Sequence, residues 1–128
     1  MKRVIGLGGI FFKAKDPKAL YEWYRKHLGI ESNPDGSGIS WRDADHPEIP
    51  GCNVFAIFPA ETKYFAPSAS SFMLNFRVEQ LDELLVALRE ESVEVDPKVE
   101  RCDYGNFGWI MDPEGNHIEL WEPPKNQS

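Results

Sequence analysis

The sequence predicts an α+β fold made of two copies of a strand–helix–three-strand unit. Three observations predict it: an internal repeat at a constant offset of 64 residues, two amphipathic helix patterns at that same offset, and a sharply punctuated hairpin near the C-terminus. Unrelated segments rarely keep one offset at several separate places, so the repeat carries most of the weight.

In chain order, the run from Gly8 to Asp16 is short and apolar and ends in charge at a helix start. Asp16 is read as the N-cap, Pro17 as the first helical residue and Gly29 as the stop. Leu20, Trp23, Tyr24 and Leu28 then form one buried face. Strands are expected around Ile39–Arg42 and from Asn53 to Phe58, with a loop from Asp43 to Gly51 between them. In the second half, the run from Phe72 to Gln80 matches the first strand. Leu81, Leu84, Leu85 and Leu88 match the first helix, with Glu90 and Glu91 exposed. Val93–Val95 begins another strand. Phe107–Met111 and Asn116–Trp121 form a hairpin around Asp112-Pro113-Glu114-Gly115, with Pro and Gly where a turn needs them. Val54–Pro59 maps on Ile118–Pro123 at the same offset. The 128 residues are thus expected to form one domain: module one over 1–60, a linker over 61–71, and module two over 72–124.

Composition narrows the function. Apolar residues make up 41% and charged residues 27%, a globular mixture. A net charge of −7 argues against nucleic acid and against anionic membrane surfaces, and fits a neutral or cationic ligand or a solubilising surface. No run is long and apolar enough to span a bilayer or to form a secretory signal, so a cytoplasmic location is expected. Cys52 and Cys102 lie in no ligand-like spacing and read as reduced thiols.

Two stretches, Lys15-Asp16-Pro17 through Trp23-Tyr24 to Leu28-Gly29 and Asp112-Pro113-Glu114-Gly115-Asn116-His117-Ile118-Glu119-Leu120, occur in order within the repeat. Together they resemble the vicinal oxygen chelate superfamily: glyoxalases, bleomycin-resistance and fosfomycin-resistance proteins, and extradiol dioxygenases. The resemblance implies paired βαβββ modules whose curled, mostly antiparallel sheet surrounds a cup-shaped pocket. In metal-using members the ligands come from the first and last strands of each module. Followed onto this chain, those positions fall on Gly9, Phe55, Met73 and Glu119, so one of four survives. Gly and Phe offer no donor, and a Met thioether is soft. No cofactor is therefore expected. The alternative is a divalent metal held by Glu119 and His117.

Alternation along the last strand puts His117, Glu119 and Trp121 on one face. For Glu119 three readings stand open: a relic hydrogen-bonded to Asn75 or a tyrosine, a ligand anchor, or a catalytic general base with a raised pKa. His117 is read as a residue at the exposed end of the sheet or as a metal ligand. Phe11 and Lys13 on the first strand share a face, as do Met73, Asn75 and Arg77 on its counterpart. Lys13 and Arg77 can hold an anionic part of a ligand or stand solvated. Gly9 is read as leaving space for a bulkier ligand. Trp41, Phe55, Trp109 and Trp121 line the cup or belong to the core. Arg101–Gly108 is either a mobile lid, with Tyr104 reaching over a ligand, or an ordinary connection. Asp43, Asp45, His46 and Glu48 read as a solvated acidic loop.

The expected function is a small-molecule binding protein of this superfamily without the metal site. The alternatives are a metal-dependent lyase or dioxygenase with Glu119 as ligand, and a metal-free enzyme with Glu119 as base. A homodimer is expected by resemblance.

Overall fold

A computed structural model describes residues 3–31, 37–42, 48 and 50–124. In chain order the elements are β1 (Val4–Ala14), α1 (Pro17–Leu28), β2 (Ser37–Arg42), β3 (Pro50–Pro59), β4 (Phe72–Val78), α2 (Leu81–Glu90), β5 (Glu94–Cys102), β6 (Gly105–Met111) and β7 (His117–Glu122). The strands form one curled sheet in the order β2-β3-β1-β4-β7-β6-β5. The second module has its full set of four strands. Among the described residues the first has three, because a single hairpin, β2–β3, follows α1.

The repeat is visible in the strand register. β1 and β4 run antiparallel with Ile10 opposite Leu74, Gly9 opposite Asn75 and Phe11 opposite Met73. Each pair exchanges under the 64-residue offset, so an approximate two-fold axis passes between Ile10 and Leu74. Each module then lays its last strand parallel to its first, β3 on β1 and β7 on β4. Here the offset changes. Phe11 pairs with Ala56 and Asn75 pairs with Glu119, so the counterpart of Glu119 is Ala56 and not Phe55. Side chains alternate with a period of two, and a slip of one residue moves the whole strand to the other face.

The helices cover the convex face. Leu81, Leu84 and Leu85 of α2 are buried with Val78 and Leu120, and Phe76, Leu88, Ile110 and Ile118 pack around them. α1 sits more loosely. None of its residues is fully buried, and Trp23 and Leu28 are exposed, contrary to the expected apolar face. Its anchors are Tyr24, against Phe12 and Phe55, and the Tyr21 hydroxyl, which accepts from Ile57 N at 2.8 Å. The expected end signals are present. Asp16 Oδ1 accepts from Ala19 N at 3.1 Å, and Gly29 takes φ 71°, a conformation that favours glycine. Asp16→Ala should lower stability by about 1 kcal/mol, measurable by urea unfolding with an unchanged m-value.

The closing turn is also as the sequence suggests. Asp112 accepts from the backbone N–H and side-chain amide of Asn116 and from the backbone N–H of Glu114, and these donors, Asn116 foremost, hold its carboxyl below the usual range. The stretch from Arg101 to Gly108 is a β-hairpin tip. It is ladder on both sides of a tight turn at Asp103–Tyr104, with Cys102 paired to Gly105.

Candidate functional site

The concave face is built from the inward residues of the central strands. Parallel pairing sets Asn75 beside Glu119 and Arg77 beside Trp121, while β6 places Trp109 opposite Glu119. Phe11, Ala56, Phe65, Met73 and Trp109 form the apolar lining. Glu119 is at its centre, 1% exposed.

Both oxygens of Glu119 are engaged. Oε1 accepts from Asn75 Nδ2 at 2.6 Å. Oε2 accepts from the Tyr64 hydroxyl at 2.5 Å and from Trp109 Nε1 at 3.0 Å. Burial pushes the Glu119 pKa up, and the three donors pull it part of the way back. Burial and the neighbouring carboxylate raise the Tyr64 phenol further above its ordinary value, so it remains a donor.

Tyr64 comes from the linker, which closes over the cup. Phe65 is fully buried among the lining residues, and Tyr64 stacks on Phe58 with ring centroids 5.4 Å apart. Sequence reasoning assigned this segment to a connection because Pro67-Ser68-Ala69-Ser70-Ser71 dominates its composition. The adjacent aromatic pair Tyr64-Phe65 was the available signal.

The remaining expected residues are distributed unevenly. Lys13 is half-buried on the inner face, with Nζ 5.4 Å from the Phe65 ring centroid. Arg77 is 6% exposed. Its guanidinium lies 4.9 Å from the Trp121 ring, Nη1 donates to the Cys52 carbonyl at 3.2 Å, and burial lowers its pKa. Phe55 faces away from the cup, with its ring centroid 5.5 Å from Phe12 and 4.9 Å from Tyr24. Tyr104 is exposed, and only its carbonyl is engaged, by Trp121 Nε1. Trp41 pairs with Gly51 along β2, and its side chain lies outside the described residues, as do Asp43, Asp45 and His46 of the acidic loop. Gly9 leaves no space for a ligand. A Cβ there would meet Val54 O at 2.6 Å and the Phe11 ring at 3.3 Å. At the neighbouring Gly8, in the β1 bulge, a Cβ would meet Asn75 Oδ1 at 1.9 Å and the Trp121 ring at 3.1 Å.

These residues do not fit a divalent metal. The four positions related by the two-fold axis are Gly9, Ala56, Met73 and Glu119, a single hard donor whose oxygens already bind three protein groups. About three protein donors are needed to displace a hydration shell. No group of three or more His, Cys, Asp or Glu converges among the described residues. What the arrangement does is hold a buried carboxylate, with all three donors in place, among aromatic side chains. The depressions beside α1, one of them about 480 Å³, are open surface without buried polar groups.

Neither a protein-family model nor a curated protein sequence matches the chain. Solved structures do. A methylmalonyl-CoA epimerase in complex with methylmalonyl-CoA and NH4+ aligns over 99% of both chains at TM-score 0.69 and 18% identity. The methylmalonyl-CoA epimerase of Mycobacterium tuberculosis aligns over 98% of this chain and 93% of its own, at 0.64 and 22%. A Legionella pneumophila structure described as NAD-dependent benzaldehyde dehydrogenase covers 91% and 98%, at 0.59 and 18%. The chain therefore has the vicinal oxygen chelate, or glyoxalase/bleomycin-resistance, fold that its motifs resemble. No helix among the described residues is long and apolar enough to cross a membrane.

Proposed function

We propose that this chain is a cytoplasmic small-molecule binding protein of the vicinal oxygen chelate superfamily that has lost the metal site, with Glu119 as the polar centre of its cup. The observation that carries this reading is the satisfied carboxylate: both oxygens of Glu119 already accept from Tyr64, Asn75 and Trp109. Phe11, Met73, Trp109 and Trp121 supply apolar contact, and Lys13 and Arg77 supply charge at the ends of their strands. The test has two parts. Protein purified without chelator should carry no stoichiometric zinc, nickel or manganese and should take up none on titration. Calorimetry against aromatic and cationic compounds should then find ligands. A stoichiometric metal, or silence across the panel, overturns the proposal.

The raised pKa of Glu119 favours a second reading, metal-free proton abstraction. The epimerase neighbours suggest the probe. Solvent deuterium entering methylmalonyl-CoA, and no longer entering with Glu119→Gln, would establish it; no uptake by the wild type removes it.

We also propose a homodimer. Its support is the apolar surface left open around α1 and the outer face of β1, where Trp23, Leu28, Leu7 and Ile10 are each at least 40% exposed. Light scattering should report twice the chain mass, and a monomer at micromolar concentration ends the idea.

A further inference from the structure

Where β5, β6 and β7 meet, His117 is buried, 5% exposed, contrary to the exposed sheet end expected for it, and neither ring nitrogen has a hydrogen-bond partner. Such groups are rare in folded proteins and need a reason. Burial lowers the imidazole's pKa from its ordinary value, with Asp96 pulling the other way, and a neutral imidazole presents one acceptor and one donor. It lines a half-enclosed cavity of about 200 Å³ together with Pro67, Glu94, Asp96, Pro97 and Trp109. The cavity exists because the β5–β6 ladder breaks between Val95 and Val99, where Asp96 Oδ1 caps Lys98 N. The polar side chains on the walls are two carboxylates, an imidazole and an indole; a cation stands beside them, Lys98, whose Nζ lies 5.4 Å from the Trp109 ring centroid and 3.5 Å from Glu100 Oε2.

We propose that this cavity is a subsite for a small primary ammonium group, bonded to the free ring nitrogen of His117 and neutralised by Asp96 and Glu94. The volume suits a head group with a short alkyl stem, which Pro67, Pro97 and Trp109 would cover. The proposal deepens the metal-free binding reading and rests on it, since it describes one end of the same cup.

The test uses propylammonium chloride and its neutral isostere 1-propanol, with sodium chloride at matched ionic strength as control. Propylammonium should shift the His117 ring resonances in NMR spectra of the wild-type protein and raise its melting temperature; 1-propanol should bind at least about tenfold more weakly. Asp96→Asn keeps the cap on Lys98 and should weaken propylammonium by roughly tenfold. His117→Phe should abolish the response, and Asp96→Asn keeps the test valid if that variant does not fold. Equal binding of the alcohol, an undiminished Asp96→Asn response, or no binding of propylammonium overturns the subsite. Other compounds binding the cup would leave the broader reading intact. A metal found on Glu119 would overturn the broader reading while the His117 resonances still report the ammonium.

Discussion

Glu119→Ala is expected to lower stability by about 3 kcal/mol or more and the melting temperature by roughly 10 °C. The substitution removes one side chain but strands three donors, the Tyr64 hydroxyl, the Asn75 amide and the Trp109 indole, in a site that water barely reaches. A buried donor without a partner costs about 1–3 kcal/mol. Relief from burying a carboxylate offsets part of that cost. Glu119→Gln should be milder and should separate charge from packing through pH. The folded-state pKa of Glu119 lies above its ordinary value of 4.5, so the folded protein holds a proton that the unfolded chain has released. That contribution is present below pH 4.5 and is lost as pH rises through the folded pKa. The wild-type stability minus that of Glu119→Gln should therefore fall with rising pH across that window. The difference isolates Glu119, because His117, whose pKa burial lowers from 6.5, contributes a slope of opposite sign common to both proteins. Chemical denaturation between pH 4 and 8 gives the measurement, and a flat difference would refute the burial argument.

Phe65→Ala is expected to cost about 3–5 kcal/mol, the usual range for emptying an aromatic site in a core. Phe65 is fully buried and packs on Phe58 at 5.2 Å, in the cluster that also contains Met73 and Trp109. Its loss should leave a dry apolar void against the Glu119 network. Benzene should bind in that void and recover part of the lost melting temperature. If Phe65→Ala unfolds within 1 kcal/mol of the wild type, the linker is not seated in the cup as described.

The architecture was legible in the sequence because its signals are local. Asp16, Pro17 and Gly29 bracket α1, the Asp112–Gly115 turn marks the last hairpin, and one offset ties the first strands and the helices together. What escaped depends on long-range register. The shift from Phe55 to Ala56 is one residue, invisible to a pattern in which Val54–Pro59 is apolar throughout. The shape of Gly9 depends on how closely β3 approaches, which no local pattern encodes. The position of Tyr64 and Phe65 is a tertiary fact about a segment whose composition says only that it joins two halves. The Glu119 network was half legible: the residues were on the expected face, but the hydroxyl that completes it comes from 55 positions away.

The joint between β1 and β4 has one further consequence. Each half offers the other the same edge in the same register, reversed about Ile10 and Leu74. That is the self-complementary geometry of an isologous contact between identical subunits, here written into a single polypeptide. The backbone hydrogen bonds of this seam do not depend on covalent continuity. Cleavage at exposed Glu61 should accordingly leave two fragments that remain associated and elute as one particle.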